Sequence, residues 1–188
     1  MNNLETDILI IGGGPAAMVT AMTAVINNMD KRVMVVRSFE KSQVPCGIPY
    51  VFGETLGSVE KNAMVCGGNN PIVEKIERIV DTVTDVNIEN KIVTARENII
   101  KFDKLIFATG SVPFVHENFQ SALNLENVFT VNKEYSKVEE LKNYLPNRKK
   151  IIVGGTGFIG VEIATKLATG GKRCDLWSGE EMYWADSL

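Results

Sequence analysis

The chain has 188 residues, 45% of them hydrophobic and 23% charged, and its 20 Lys+Arg against 23 Asp+Glu leave a formal net charge of −3. That length can bury a real core, as one ordinary domain or two small nucleotide-binding units, and its unclustered cations give no footprint for nucleic acid or an anionic membrane surface. Cys46, Cys66 and Cys174 form no CxxC pair and no zinc spacing, and no secretory leader precedes the first strand, so the chain reads as cytoplasmic, with free thiols and no metal site.

Asp7 to Ile11 is a β-branched run predicted as a buried strand. Gly12 to Pro15 is a glycine-rich turn, Ala16 to Asn27 a small and apolar helix, and Val33 to Val36 a second strand. The glycines and Pro15 interrupt the apolar stretch from Ile8 to Val25, which therefore reads as a strand and a packed helix rather than a membrane span. Ile79 to Lys101 has the pattern of a small antiparallel meander, with Val80, Thr82, Thr84, Val86 and Ile88 on one face and turns at Glu89-Asn90 and Asn98. Lys104 to Ala108 is a buried strand ending at Thr109-Gly110, and Ser111 to Asn127 a Pro-containing connector holding His116, read as a surface residue. A helix is predicted near Ser136 to Leu145, with Ser136 and Glu139 at capping-box spacing. Lys150 to Val153, Gly154 to Gly157, Phe158 to Thr169 and Arg173 to Trp177 then repeat the order strand, turn, helix, strand, with a helix stop at Gly170-Gly171. Two βαβ openings, with Gly12 and Gly155 143 residues apart, imply tandem nucleotide units and not a short solenoid repeat.

In the first turn Gly12, Gly14 and Ala17 occupy GxGxxG/A positions, and in the second Gly155, Gly157 and Gly160 do the same. The first glycine permits a sharp turn, the second lets backbone approach a pyrophosphate, and the small third residue lets helix and strand pack closely with the helix N-terminus facing the anion. Neither copy has the usual acidic ribose partner about 20 residues on. The first strand pair ends at Arg37, whose guanidinium cannot accept from ribose hydroxyls but can pair with a phosphate or stack on adenine; a solvated surface cation is the plain alternative. The second ends at Ser178, which leaves NADP open alongside NAD.

Pro45-Cys46-Gly47-Ile48-Pro49-Tyr50 sets a cysteine between two prolines beside a glycine. Taken alone, an inert buried thiol is the commoner reading; a rigid, closely approached backbone also suits a thiol presented at fixed distance to a partner ring.

The ordered set Gly12-Gly13-Gly14-Pro15-Ala16, Ser42-Gln43-Val44-Pro45-Cys46-Gly47-Ile48-Pro49-Tyr50, Phe107-Ala108-Thr109-Gly110-Ser111 and Gly155-Thr156-Gly157-Phe158-Ile159-Gly160-Val161-Glu162 resembles the pyridine nucleotide-disulfide oxidoreductases. It is most similar to their single-cysteine branch of coenzyme A disulfide reductases, NADH oxidases and peroxidases, and persulfide reductases. The resemblance implies an α/β chain: a Rossmann-like FAD-binding unit over residues 1–112 with the meander at about 79–101, a connector and helix over 113–148, and the start of a second Rossmann-like, NAD(P)H-binding unit over 149–188. It implies FAD on the first turn (Gly12, Gly14, Pro15, Ala16, Ala17), with Arg37, Ser42, Pro45, Thr109 and Gly110 around it, and NADH or NADPH on Gly155, Gly157, Phe158, Ile159 and Gly160. Cys46 is then the redox thiol facing the flavin and Glu162 a second catalytic residue near the flavin and nicotinamide. The implied partner is a small-molecule disulfide, persulfide or other electron acceptor, and the implied full-length form a homodimer.

Three features depart from the family pattern. Members that reduce oxygen or peroxide place a histidine in the first glycine loop, where this chain has Pro15, and coenzyme A disulfide reductases carry basic residues on the first helix, whereas none lies between Ala16 and Asp30. Family chains are also much longer, so the sequence is expected to be the N-terminal portion of such an enzyme. A non-catalytic dinucleotide-binding module is the competing reading, and only the Cys46 segment and Glu162 argue against it.

Overall fold

The computed structural model describes residues 1–64 and 70–178 and the strand backbone of 182–184. Cys66 lies outside the described residues. Two compact units are present, one formed by residues 1–42 and 64–111, the other by 43–63 and 112–188.

The first unit is built on a six-stranded sheet in the order β3 (Ile76–Val80), β2 (Val33–Arg37), β1 (Asn2–Ile11), β6 (Asn98–Phe107), β5 (Ile92–Ala95), β4 (Val83–Asn87). β1 (Asn2–Ile11) pairs in parallel with β2 (Val33–Arg37) and β6 (Asn98–Phe107), and β2 pairs in parallel with β3 (Ile76–Val80). All four residues from Val33 to Val36 are buried, as a central parallel strand covered on both faces requires. Helix α1 (Pro15–Asn27) lays Ala17, Met18, Ala21 and Val25 against Ile10, Val33 and Val35, and the short α3 (Pro71–Glu74) adds Val73. The opposite face gathers Leu9, Ile11, Met34, Val36, Val93, Ile100 and Phe102.

The predicted meander differs in four respects. Ile79 and Val80 end β3, a third parallel strand on the far side of the sheet. Only β4 (Val83–Asn87), β5 (Ile92–Ala95) and the start of β6 run antiparallel, and β6 continues without a break through the run read as a separate strand from Lys104. The register shifts between Val83 and Asp85, so Val83 and Val86 face the core while Thr84 is exposed; this bulge breaks the strict alternation expected from Val80 to Ile88. Asn98 begins β6 rather than a turn, because its amide donates to buried Asp81 at 2.7 Å.

The second unit holds β7 (Lys150–Gly154), parallel to β8 (Arg173–Trp177), with β9 (Met182–Trp184) antiparallel on the other side of β8. Helix α5 (Phe158–Thr169) crosses between β7 and β8 and buries Ile163, Ala164 and Leu167 in a core with Cys174 and Leu176. Helix α4 (Tyr135–Tyr144) adds Val138 to that core, and Leu145 follows from its C-cap. Its N-cap is Glu134, to whose carboxylate the Ser136 hydroxyl donates at 2.6 Å, so the expected capping box does not form. Asp175, buried within β8, is paired with Lys150 (Nζ to Oδ2, 3.2 Å) and Arg173 (Nε to Oδ1, 3.7 Å). Residues 43–63 supply the short α2 (Ile48–Phe52), whose Ile48, Val51 and Phe52 enter the same core. Among the described residues no helix is long and apolar enough to cross a membrane.

Candidate functional site

The first glycine turn is shaped by close contacts within its own unit. Gly12 has φ +135°, and a Cβ there would collide with the Ala108 carbonyl and lie 3.2 Å from the Thr109 nitrogen, so only glycine lets the end of β6 approach. Thr109 and Gly110 (φ +74°) are thereby set against the turn. Arg37 runs across Gly13, since a Cβ on Gly13 would be 2.7 Å from its Cβ and 3.0 Å from its Cδ. The buried Ser42 hydroxyl donates to the Gly13 carbonyl at 2.7 Å. Gly12, Gly13, Arg37, Ser42, Ala108 and Thr109 thus meet around one turn.

That turn fits a pyrophosphate. Nothing lies within 4 Å of a Cβ built on Gly14, the N-cap of α1, and no side chain caps the helix or places an acid in its first turn. Pro15 takes the first helical position, Ala16 is exposed and Ala17 is buried against the sheet, so the amides beyond Pro15 and the positive end of the helix dipole meet open space. The Nε of Arg37 is buried with no hydrogen-bond partner among the described residues.

The second turn has the same build. Gly155 has φ +115° and its amide donates to the Trp177 carbonyl at 2.8 Å, tying the turn to the end of β8. A Cβ on Gly160 would collide with the Gly155 carbonyl, which explains the small third residue of the motif. No atom lies within 4 Å of a Cβ built on Gly155 or Gly157, Gly157 caps α5 without a side-chain bond, and Phe158 and Ile159 are 98% and 67% exposed. This open helix start likewise suits a dinucleotide phosphate.

Cys46 is exposed, in a one-turn 3₁₀ helix over Pro45–Gly47 that leads directly into α2. The buried, inert thiol that composition favours is therefore not what forms. The segment is held at its neck: Gln43 and Ala63 form an antiparallel bridge, and buried Asn62 donates to Gln43 Oε1 at 2.6 Å and to the Val44 carbonyl at 3.1 Å. A side chain on Gly47 would strike Asn62, which is why glycine follows the cysteine.

Tyr50, four residues after Cys46, binds this segment to α5 of the same unit. Its hydroxyl donates to the Glu162 carboxylate, and the Lys166 ammonium sits 4.5 Å from its ring centroid. The bond to Glu162, then the charge of that carboxylate, then burial hold the phenol above its ordinary value of 10.0. Lys142 on α4 donates to the Val51 carbonyl at 2.8 Å and fastens α2 from another side. Burial, with the neighbouring Lys172 charge second, lowers the Lys142 ammonium below its ordinary 10.5. Tyr50 thus joins α2, which directly follows the Cys46 turn, to α5, which carries Glu162. Sequence reasoning missed Tyr50, Asn62, Lys142 and Lys166, whose partners are distant in the chain. His116 is exposed and its Nδ1 accepts from the Asn118 amide at 3.3 Å, while Cys174 is buried in the core.

Comparison with known proteins places these features in a family. The family described as pyridine nucleotide-disulphide oxidoreductase matches residues 6–180. A protein named NADH oxidase from Methanocaldococcus jannaschii is 32% identical over 173 residues, covering 85% of this chain and 37% of that protein. An NAD(P)H coenzyme A polysulfide/persulfide reductase from Pyrococcus horikoshii is 31% identical over 186 residues, covering 90% of this chain and 39% of that one. The chain therefore spans less than half the length of these relatives. Among solved structures, an NAD-dependent persulfide reductase from A. fulgidus superposes with a TM-score of 0.78 at 23% identity, covering 90% of this chain and 33% of that chain. NADH:rubredoxin oxidoreductase from Clostridium acetobutylicum gives 0.73 at 22% identity, covering 92% and 44%. Both share the Rossmann-like α/β fold. With the family matched along nearly its whole length, the chain belongs to the pyridine nucleotide-disulphide oxidoreductases.

Proposed function

We propose that this chain is the nucleotide-binding portion of a cytoplasmic FAD-dependent NAD(P)H oxidoreductase in which Cys46 is the redox thiol and a small disulfide or persulfide the acceptor. FAD belongs to the first unit, its pyrophosphate on Gly12, Gly14, Pro15, Ala16 and Ala17, with Arg37, Ser42, Pro45, Thr109 and Gly110 as the further contacts. NADH or NADPH belongs to the second, on Gly155, Gly157, Phe158, Ile159 and Gly160. The flavin, when bound, supplies hydride acceptance from NAD(P)H and onward transfer of two electrons.

The remaining chemistry falls to the chain's own residues. The Cys46 thiolate attacks one sulfur of the acceptor; a Cys46–S bond forms, the acceptor S–S bond breaks and one half leaves as a thiolate or hydrosulfide. Two electrons and a proton then cleave the Cys46 mixed disulfide, restoring the thiolate and releasing the second half as a thiol. Tyr50 keeps its phenolic proton directed at Glu162, which ties the helix that follows Cys46 to α5.

The observation that carries this reading is an exposed cysteine on a glycine-and-proline turn, fastened through Tyr50 to the helix that opens the second dinucleotide turn. A pure binding module requires neither Cys46 nor Glu162. The names of the relatives from M. jannaschii and P. horikoshii agree with NAD(P)H oxidation, and the second with a sulfur acceptor. The test is anaerobic turnover of the FAD-loaded protein with NADH or NADPH and a small disulfide or persulfide. Cys46→Ser is expected to abolish acceptor reduction while FAD stays bound and still bleaches with the reduced nucleotide. Undiminished turnover in that variant refutes the thiol role.

A further inference from the structure

In the second unit Trp177 and Phe119 form an aromatic pair that the proposed chemistry does not use. Cys174 and Leu176 of β8 enter the core with α5, so by strand alternation Trp177, the last residue of β8, turns to the opposite face of the sheet. There it is half-buried and meets Phe119 in a T-shaped contact, with ring centroids 4.9 Å apart and planes at 80°. Phe119 is delivered by the 3₁₀ segment Glu117–Asn124 and is itself 39% exposed. His116 fixes the start of that segment: the Asn118 amide donates to its Nδ1 at 3.3 Å and the Phe119 amide to its carbonyl at 2.9 Å.

We propose that this pair is a stacking platform for the adenine base of the nucleotide held on the second glycine turn, with Trp177 as the residue that selects an adenine nucleotide there. This rests on reading the turn from Gly155 to Gly160 as a dinucleotide site and adds the side chain that recognises the base. Three observations support it. Trp177 is fixed beside the turn, since it pairs with Gly154 across the strands and its carbonyl takes the Gly155 amide at 2.8 Å. Nothing lies within 4 Å of a Cβ built on Gly154, Gly155 or Gly157, so the backbone next to the indole is open to a ligand. The strand ends Leu176-Trp177-Ser178, with no carboxylate in that run to accept from the ribose hydroxyls, which leaves the base as the part of the adenosine to be recognised. A nucleotide whose pyrophosphate lies at the start of α5, and whose adenosine crosses the carboxyl ends of β7 and β8, brings its base to the indole.

The test uses the full chain in excess FAD, so that the first turn is occupied, and compares 5′-AMP with ribose 5-phosphate, which lacks the base. Affinities are read from amide NMR shifts at Gly155, Gly157 and Gly160. The proposal predicts that 5′-AMP binds about tenfold or more tightly than ribose 5-phosphate, the usual worth of one base stacked on an aromatic side chain. It also predicts that 5′-AMP quenches indole emission in a Trp184→Phe background, where Trp177 is the sole tryptophan. Trp177→Leu should erase the preference while leaving ribose 5-phosphate binding unchanged, and Trp177→Phe should retain part of it. Equal affinities in the wild-type chain, a preference that survives Trp177→Leu, or an unquenched indole while Gly155 and Gly157 shift overturn the proposal and leave the NAD(P)H reading of the second turn standing. Equal weakening of both ligands by Trp177→Leu marks a purely structural side chain and overturns it too. If neither ligand nor NADH shifts Gly155, Gly157 or Gly160, the nucleotide reading of that turn falls as well.

Discussion

Glu162 accepts a hydrogen bond from the Tyr50 phenol, and a negative charge so placed disfavours the phenolate, which holds Tyr50 above its ordinary 10.0. Glu162→Gln removes the charge, and a spectroscopic pH titration of phenolate absorbance should show one tyrosine moving down toward the ordinary value; an unchanged profile means that Glu162 does not restrain Tyr50. The glycine turns and the Cys46 segment were readable as candidates because their signals are local: a turn needs glycine, a cysteine beside glycine and proline is conspicuous, and the spacing sits within a few residues. Tyr50 was not, since nothing around Tyr50 in the sequence announces a carboxylate and an ammonium on a helix far along the chain. Gly47 shows the same limit from the other side. Its smallness was visible, but the reason for it, the side chain of Asn62, was not.

Among the elements, the join between β3 and β4 and the start of β6 is organised by Asp81. Burial works to raise its carboxyl, but hydrogen bonds from the Asn98 side chain and from the amides of Glu97, Thr82 and Arg96 outweigh it and hold the group below its ordinary 3.8. A carboxyl depressed by folding contributes its full stability above its unfolded value and loses that contribution as pH falls through the folded one. Asp81→Ala, which strands the Asn98 amide and several backbone donors, should cost about 1–3 kcal/mol in denaturant unfolding at neutral pH. Asp81→Asn should flatten the acid limb of the stability curve below about 3.8, the ordinary carboxyl value. A variant as stable as the wild type, with the same acid limb, contradicts this account of the corner. Strands and helices with unbroken apolar runs, β2, α5 and β8 among them, were readable to within a residue. The meander was not, because Ile79 and Val80 run straight into the alternating stretch that follows although they close β3, which pairs in parallel with β2, and because a bulge at Thr84 cannot be seen until the partner strand fixes the register. The capping-box spacing of Ser136 and Glu139 misled for a related reason: the helix starts at Tyr135 after Glu134, so Ser136 is already inside the first turn and its hydroxyl donates to the Glu134 carboxylate instead.

At the scale of the molecule, two copies of strand, glycine turn and helix define two nucleotide units, and repetition made this the most legible feature of all. The allocation of residues 43–63 to the second unit was not legible, since it depends on Ile48, Val51 and Phe52 finding the core of α4, α5 and β8. That allocation places Cys46 and the second glycine turn in one folded unit, which gives the proposed chemistry its coherence. The most direct measurement is to expose the FAD-loaded protein to a mass-labelled small disulfide without reductant, locate the adduct by peptide mass spectrometry, and then add NADH or NADPH. The account predicts a single mixed disulfide on Cys46, none on Cys174, and its disappearance when the reduced nucleotide is supplied. An unlabelled Cys46, or a Cys46 adduct that persists in the presence of bound flavin and reduced nucleotide, contradicts it.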